Sequence, residues 1–265
     1  MISIVIPTKN SAKTLEKCLE SIASQTFRDY ELIIVDGNSK DSTEKIARRF
    51  TDMVFVSSAS LPASRNLGFS EAKGEIFLSI DSDMILEPDV LKQIAQGMDT
   101  HGALIVPEVG YGTDFLSRCK DLEKRCYIGD SLIEASRAFA RPAFGSAGGY
   151  DPNLHFGEDW DLHLRISKKH SVGRIQARIL HNTQDLSLPA DLKKAYIYGK
   201  SLPGYLAKDH AQSREWLNPK SAFFVRHFSK LCQEPILAIG ITFIKSMEYC
   251  AGILGYMSAR LERRP

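Results

Sequence analysis

The 265-residue chain lacks the features that identify several broad classes of protein. Its 34 basic and 32 acidic residues leave a net charge of +2, too small for a general attraction to nucleic acid, and we expect no nucleic-acid partner. The five cysteines are odd in number and form no Cys-x-x-Cys pair, which favours a reducing compartment. Hydrophobic residues at 43% and charged residues at 25% are ordinary values, which excludes disordered, collagenous and coiled-coil chains.

Long uncharged hydrophobic runs are also missing. No basic segment precedes the first apolar run, Ile2 to Ile6, so we expect no secretion signal and a cytoplasmic location. Near the end of the chain, Lys245 and Glu248 divide the apolar stretch from Pro235 to Ser258 into charge-free runs of about ten residues. Such runs are well short of the ~20 residues that span a bilayer.

The two common nucleotide-binding motifs are absent as well. No Gly-x-Gly-x-x-Gly is present, which argues against NAD. A phosphate-binding loop is missing too, because Tyr198-Gly199-Lys200-Ser201 lacks the upstream glycine.

The first hundred residues alternate short apolar runs with helical patterns. Ile2 to Ile6, Leu32 to Val35 and Ile76 to Ile80 are apolar runs separated by segments with three- and four-residue spacing. This alternation predicts an α/β fold with a mostly parallel sheet covered by helices on both faces. Further along, Val172 to Leu180 is predicted as one strand that ends at His181.

Polar clusters directly follow three of these strands, at Thr8 to Asn10, Asp36 to Ser39 and Asp81 to Asp83. Ligands of such sheets bind beyond the carboxyl ends of the strands. The carboxylate pair Asp81 and Asp83 could hold Mg²⁺ or Mn²⁺ against a diphosphate, or could be solvated turn residues. Asp36 could accept hydrogen bonds from a ribose or base, or could cap a helix.

A second acidic cluster opens a predicted helix at Glu158 and Asp159. Either carboxylate could act as a general base, although acids are also favoured at helix N-termini by the helix dipole. His181 could be a metal ligand or a structural histidine. The residues alone leave these alternatives open.

Taken together, six segments resemble the family 2 glycosyltransferases of GT-A fold over roughly residues 1 to 181. In chain order the matching segments are Ile4 to Asn10, Ser24-Gln25-Thr26, Val35 to Thr43, Ser64 to Gly68, Asp81-Ser82-Asp83 and Phe156 to Leu162. The resemblance implies a metal-dependent transfer of a sugar from a nucleoside-diphosphate sugar to an acceptor, with inversion. It also implies a GT-A type sheet, mixed and mostly parallel.

The resemblance assigns roles to particular residues. It implies that Thr8, Asp36 and Arg65 contact the nucleotide, that Asp81 lies near the ribose, and that Asp159 is the base. The expected substrate-binding set is Pro7, Thr8, Asn10, Asp36, Arg65, Asp81, Ser82 and Lys200; the expected catalytic residues are Asp159 and Glu158; the expected ligands of Mn²⁺ or Mg²⁺ are Asp83 and His181. Lys9 and Gly37 depart from the family, which often has an aromatic residue and a second acid there.

The acceptor and the tail carry a further hypothesis. The acids at 158 and 159 favour a hydroxyl acceptor, whereas polyprenyl-phosphate sugar synthases, the alternative, use a phosphate that needs no strong base. Residues 216–265 are expected to form a helical extension after a catalytic domain of residues 1–215. Because residues 220–265 carry a net charge of +4 beside apolar faces, we expect a peripheral site on the inner membrane face and a lipid-linked acceptor.

The tail allows other functions. It could instead cover the core or form a homodimer, since Ala251-x-x-x-Gly255 permits close helix contact. A span across the membrane is the remaining alternative for the tail. A sugar-1-phosphate nucleotidyltransferase and a non-catalytic sugar-nucleotide binding protein are the weaker alternatives for the whole chain.

Overall fold

The computed structural model describes residues 1–184, 186–208 and 223–262, and this part of the chain forms ten strands and eleven helices. The strands are β1 (Ile2–Thr8), β2 (Tyr30–Asp36), β3 (Val54–Val56), β4 (Ile76–Ser79), β5 (Met84–Leu86), β6 (Ala103–Ile105), β7 (Glu108–Tyr111), β8 (Ala138–Ala140), β9 (Val172–Arg174) and β10 (Ile179–Asn182). The helices are α1 (Leu15–Ala23), α2 (Thr43–Ala47), α3 (Leu61–Glu71), α4 (Val90–Gly97), α5 (Phe115–Tyr127), α6 (Arg141–Ser146), α7 (Glu158–Ser167), α8 (Leu188–Leu206), α9 (Phe223–Arg226), α10 (Phe228–Cys232) and α11 (Pro235–Glu262).

The chain divides into two compact units. Unit 1 comprises Met1–Val109, Glu134–Pro152 and Glu158–Asn182, and unit 2 comprises Gly110–Ile133, Asn153–Gly157 and Thr183–Pro265. The boundary expected between residues 215 and 216 lies outside the described residues. The division into residues 1–215 and 216–265 therefore stays a prediction.

A seven-stranded sheet in the order β3-β2-β1-β4-β8-β6-β9 forms the centre of unit 1. The pairs β1–β2, β1–β4, β2–β3 and β6–β9 are parallel, whereas β8 runs antiparallel to β4 and to β6. A three-stranded sheet has the order β5-β10-β7. The prediction of a mixed, mostly parallel α/β sheet is confirmed.

Apolar residues alternate between the two faces of this sheet, which is why both faces are covered. Ile4 and Ile6 of β1 belong to one buried cluster, and Val5 belongs to another. On the first face, the α1 residues Leu15, Cys18, Leu19 and Ile22 are 0–1% exposed. The burial of strands on both sides explains their continuous hydrophobic runs.

The single strand predicted over Val172 to Leu180 is wrong. Two strands in different sheets, β9 and β10, occupy this segment, and His181 lies inside β10. Between them, the backbone N–H groups of Gln176 and Ala177 donate to Gln93 Oε1, at 2.8 and 3.0 Å. These side-chain acceptors satisfy the backbone without a neighbouring strand, so the chain can leave the first sheet.

Unit 2 is helical around a core shared by α5 and α11. Cys119, Leu122 and Cys126 of α5 pack with Ile241 and Ile244 of α11. The tail was expected as two apolar runs divided by charges, but α11 is one helix of 28 residues. By length and composition it could cross a membrane.

Candidate active site

The carboxyl ends of β1 and β2 meet through Thr8 and Asp36, which are paired in the parallel register. Thr8 Oγ1 donates to Asp36 Oδ1 at 2.8 Å, and the Ser39 backbone N–H donates to Asp36 Oδ2 at 2.7 Å. Asp36 is only 2% exposed. The carboxylate thus fixes the loop after β2 against the end of β1.

The neighbouring loop residues are also held in place. Asn10 adopts a positive φ of 51°, which asparagine tolerates, and its backbone N–H donates to Ser39 Oγ at 2.8 Å. Ser82 Oγ donates to Ser11 Oγ at 2.8 Å, which joins the loop after β4 to the loop after β1. Pro7 is paired with Val35 in the β1–β2 register. Four of the predicted substrate-binding residues therefore belong to one hydrogen-bonded edge of the sheet: Pro7, Thr8, Asn10 and Asp36.

Helix α3 brings Arg65 to the same sheet. One turn after Arg65, a Cβ atom at Gly68 would lie 2.4 Å from Val5 Cγ1, so glycine is required for the helix to pack this closely on β1. Arg65 is 1% exposed. A guanidinium at such a position must find partners inside the protein.

Those partners are three carboxylates from two sequence motifs. The Arg65 Nη2 atom lies 2.8 Å from Asp81 Oδ1, and Nη1 lies 3.0 Å from Glu158 Oε1 and 2.9 Å from Asp159 Oδ1. The Tyr150 ring covers the guanidinium at 5.2 Å. The sequence analysis expected Arg65 to contact a nucleotide; in the structure Arg65 holds the predicted acids, and the nucleotide contact stays a prediction.

The surroundings separate the acidities of these carboxyl groups. Burial opposes ionisation of Asp81, but the charges of Arg65 and Arg137 outweigh it and lower the Asp81 pKa to about 2. For Glu158, burial and the neighbouring Asp159 carboxylate raise the pKa despite the presence of Arg65. Glu158 is therefore a weaker acid than Asp81.

A glycine turn sets the start of the helix that carries Glu158 and Asp159. Gly157 has a φ of 75°, in the left-handed region, and immediately precedes α7. The acids occupy the first turn of α7, where the helix dipole favours negative charge. Asp159 remains 32% exposed, compared with 13% for Glu158.

A second arginine extends the cluster towards His181. Arg137 Nη1 lies 3.5 Å from Asp81 Oδ2, and Arg137 Nε pairs with Glu108 Oε1. Glu108 Oε2 lies 3.1 Å from His181 Nδ1, and His181 Nε2 lies 3.2 Å from Asp83 Oδ2. Eight residues form an alternating sequence of charges from the acids of α7 to Asp83, named here the unit 1 charge chain: Glu158 and Asp159, Arg65, Asp81, Arg137, Glu108, His181 and Asp83.

The structure brings the two predicted metal ligands together. Asp83 Oδ2 and His181 Nε2 are close enough to bind one divalent cation, and the carboxylate is a ligand that suits Mn²⁺ or Mg²⁺. Asp83 is 39% exposed, which leaves access for substrate oxygens. Across residues 1–184, 186–208 and 223–262, no group of three or more His, Cys, Asp or Glu side chains is arranged to hold a metal ion. A cation there would need oxygens from substrate or water as its remaining ligands.

Lys200, the other predicted nucleotide contact, belongs to α8 in unit 2. Its Nζ atom lies 2.7 Å from Glu262 Oε1, at the end of α11. Lys200 therefore has a structural partner, and its contact with a diphosphate stays a prediction.

Sequence reasoning missed Glu108 and Arg137, which join the two halves of the charge chain. They lie on or beside β7 and β8, strands of four and three residues that are too short to show a clear alternation. Neither residue belongs to a motif with recognisable spacing. Their role can be recognised only from the side chains that lie next to them in the structure.

The comparisons with known proteins show the family and the fold of the chain. The sequence model described as glycosyl transferase family 2 matches residues 3–135. A "PGL/p-HBAD biosynthesis glycosyltransferase" of Mycobacterium bovis is 30% identical over 181 residues, covering 62% of this chain and 69% of that relative.

Solved glycosyltransferases of GT-A fold share the architecture. TarS 1-349 of S. aureus, solved with UDP-GlcNAc, aligns with a TM-score of 0.56 at 17% identity, covering 98% of this chain and 92% of that one. This chain spans 55% of the longer TarS chain. Mannosyltransferase PcManGT of Pyrobaculum calidifontis, solved with GDP-Man and Mn²⁺, aligns with a TM-score of 0.58 at 16% identity, covering 100% of this chain and 76% of that one.

Proposed function

Because the chain belongs to glycosyl transferase family 2 and is a nucleotide-sugar glycosyltransferase, we propose that it uses a divalent metal ion to transfer a sugar, with inversion, to a hydroxyl acceptor. The observation that carries the proposal is the unit 1 charge chain. Its one end offers an accessible carboxylate, Asp159, and its other end offers the Asp83–His181 pair. A direct displacement needs both a proton acceptor and a counter-charge for the leaving diphosphate.

The nucleotide is proposed to bind at the edge formed by β1, β2 and β4. Thr8 and Asp36 are fixed there by their mutual hydrogen bond, and Asn10 by its bonds to Ser39 and Lys40, which orients hydroxyl, carboxylate and amide groups in advance. Pro7, Ser82 and Asp81 complete this edge. The two similar structures were solved with UDP-GlcNAc and GDP-Man, so a uracil or a guanine base is compatible with glycosyltransferases of this fold.

Asp83 and His181 are proposed to hold Mn²⁺ or Mg²⁺. When bound, the ion would act as a Lewis acid that neutralises negative charge on the diphosphate. The PcManGT complex with Mn²⁺ supports metal use in this fold.

Asp159 is proposed as the base that takes the proton of the acceptor hydroxyl. Arg65 holds its Oδ1 atom, so the carboxylate orientation is fixed while its side chain stays one-third exposed. Glu158 shares the same guanidinium and is more buried, which suits a supporting role. A phosphate acceptor would not need this arrangement, so the two acids favour a hydroxyl.

Isothermal titration with UDP-, GDP- and dTDP-sugars tests the donor and metal assignments. We expect one donor to bind with Mn²⁺, and binding to weaken strongly with EDTA or in Asp83→Ala. The matched control is Asp52→Ala, an exposed acid elsewhere in unit 1, which should bind like the wild type. Equal binding by Asp83→Ala and wild type would contradict the metal site.

The acceptor is proposed to be a glycolipid or lipid-linked saccharide at the inner face of the cell membrane. Two charged residues in the middle of α11 pair with side chains of α5: Lys245 Nζ lies 2.7 Å from Glu123 Oε1, and Glu248 pairs with Lys120. These four side chains are only 9–14% exposed. Lys245 and Glu248, which interrupt the apolar sequence, thus place no charge on the opposite side of the helix.

The outward side of α11 is apolar along almost its whole length. Seven of its residues are 54–74% exposed: Ile236, Ile239, Phe243, Ile253, Leu254, Met257 and Leu261. The hydroxyls of Thr242 and Ser246 are bonded to the helix carbonyls of Ala238 and Thr242, at 2.6 and 2.8 Å. A face of this kind suits contact with lipid.

Two observations favour lipid over a second copy of the chain. The close-packing glycines of α11 are already used, because a Cβ at Gly199 of α8 would lie 2.0 Å from Gly252 O and one at Gly255 would lie 2.0 Å from Tyr196 O. In addition, the net charge of +4 over residues 220–265 complements anionic headgroups. We therefore propose peripheral binding through this face.

Flotation with vesicles containing anionic lipid tests the membrane role. We expect the wild type to float and the double variant Ile239→Glu/Phe243→Glu to remain soluble, while the control Val56→Glu/Leu61→Glu, which alters exposed apolar residues of unit 1, floats. A wild-type chain that stays soluble as a dimer, and becomes monomeric in the α11 variant, would contradict membrane binding and indicate a second copy instead.

A further inference from the structure

Glu108 contacts the ring nitrogen of His181 that lies on the side away from Asp83. Its Oε2 atom lies 3.1 Å from His181 Nδ1, while Asp83 Oδ2 lies 3.2 Å from Nε2 on the other side of the ring. A carboxylate at Nδ1 accepts a hydrogen bond from an Nδ1–H group. The other ring nitrogen is then the one that can supply a lone pair.

The second carboxylate oxygen of Glu108 is held by a buried cation. Arg137 Nε pairs with Glu108 Oε1, and the Arg137 side chain is 13% exposed. The Arg137 backbone is bonded on both sides, since its carbonyl accepts from Ser79 N–H at 2.9 Å and its N–H donates to Leu104 O at 3.1 Å. Glu108 is thus anchored to the main sheet and cannot turn freely.

The backbone of β10 positions His181 but does not set the orientation of its ring. His181 is paired with Met84 in the β5–β10 register, and the Asn182 N–H donates to Asp83 O at 2.9 Å. These bonds set the distance between the two main-chain segments. The orientation of the imidazole about its side-chain bonds must come from a contact with the ring itself.

We propose that Glu108, anchored by Arg137, is a positioning residue that keeps the His181 ring with Nδ1–H on its own carboxylate and Nε2 towards Asp83. The inference rests on the proposed function in one respect, that Asp83 and His181 bind the metal ion. Residues that orient a metal-binding histidine typically change metal affinity 10- to 100-fold when replaced, so an effect of about that size is expected.

The test compares Glu108→Gln with wild type and with Glu87→Gln. Glu87 is a fitting control because its carboxylate pairs with Arg178 and follows β5 in the same small sheet, with 28% of its side chain exposed against 23% for Glu108. Mn²⁺ alone is titrated into each protein and followed by electron paramagnetic resonance. The ¹⁵N spectrum of the His181 ring, recorded without metal at alkaline pH where the ring is neutral, reports which nitrogen carries the proton.

We expect Glu108→Gln to bind Mn²⁺ about 10- to 100-fold more weakly than wild type. We also expect its His181 ring to lose the uniform Nδ1–H form that the proposal predicts for wild type and Glu87→Gln. Unchanged affinity together with an unchanged ring tautomer in Glu108→Gln would overturn the positioning role. If wild type itself binds no Mn²⁺, the proposed metal site fails, and the ring tautomer still decides the role of Glu108. Thermal unfolding of each variant separates these results from loss of the fold.

Discussion

Both units contain buried ion pairs, but they are built differently. In unit 2, two lysines and two glutamates, Lys120, Lys245, Glu123 and Glu248, balance one another and are at most 14% exposed. In unit 1 the charge chain holds five carboxylates against two arginines and a histidine, and Asp159 and Asp83 at its ends are 32% and 39% exposed. In a balanced, closed cluster, the loss of one charge leaves its partner buried and unpaired, which destabilises the fold. An acid-rich cluster with exposed ends can instead bind a cation and accept a proton.

The largest expected effect is on the open end that carries the proposed base. Asp159→Asn should lower kcat about 10²- to 10⁴-fold, because the amide cannot accept the acceptor's proton. Turnover of the donor found by titration measures this. The matched control is Asp161→Asn on the same helix, where a buried carboxylate pairs with Arg165 at 2.6 Å. Asp161→Asn should lower the melting temperature. The assignment would be contradicted if Asp161→Asn kept full stability but lost kcat while Asp159→Asn kept its kcat.

A substitution in the closed cluster of unit 2 should lower stability and leave donor binding unchanged. Lys245→Met leaves Glu123 buried without its nearest cation, and we expect a loss of about 3–5 kcal/mol in the free energy of unfolding. Urea unfolding measures the loss. Titration of the folded variant with donor should give the wild-type affinity. A strong loss of donor affinity with unchanged stability would remove the distinction between the two clusters.

The acid stability of the protein should depend on Asp81. Because the folded-state pKa of Asp81 lies at about 2, below the ordinary 3.8, its ionised form stabilises the fold above pH 3.8 and this contribution is lost as the pH falls towards 2. The contribution is about 2 kcal/mol at neutral pH. Wild type and Asp81→Asn, unfolded by urea at a series of pH values, should differ in slope over that window. Equal slopes would show that the arginines do not favour the charged carboxylate.

The smallest expected effect concerns Lys200. Lys200→Met and Glu262→Gln break the same exposed ion pair, so they should change stability equally little. Only the lysine variant should raise the KM for the donor, because only the lysine can contact a phosphate. Equal KM values in both variants would restrict Lys200 to its contact with Glu262.

The ends of the strands could be predicted from the sequence because buried strands are recognisable and the polar residues after them share one edge. Thr8, Asp36, Asp81 and Asp83 were found in this way. The connection between the acids of α7 and the Asp83–His181 pair could not be predicted. It runs through the side chains of Arg137 and Glu108, which come from short strands far apart in sequence. The same limit applies to β9 and β10, where the side chain of Gln93 ends the first strand.

The tail shows a related limit. Its composition indicated apolar helices, but Lys245 and Glu248 were interpreted as interruptions of the apolar sequence. Their burial against α5 depends on Glu123 and Lys120, which are more than a hundred residues away in the chain. Composition alone cannot tell whether a charge faces solvent or a partner.

The central claim is that the open charge chain of unit 1 is the transferase site. The most direct test is a crystal structure of the wild type with Mn²⁺ and the donor selected by titration, with Mn²⁺ located by its anomalous scattering. The account predicts one Mn²⁺ bound by Asp83 and His181 with the donor diphosphate on it, and the nucleoside beside Thr8 and Asp36. Mn²⁺ or the diphosphate bound away from Asp83 and His181 would contradict it.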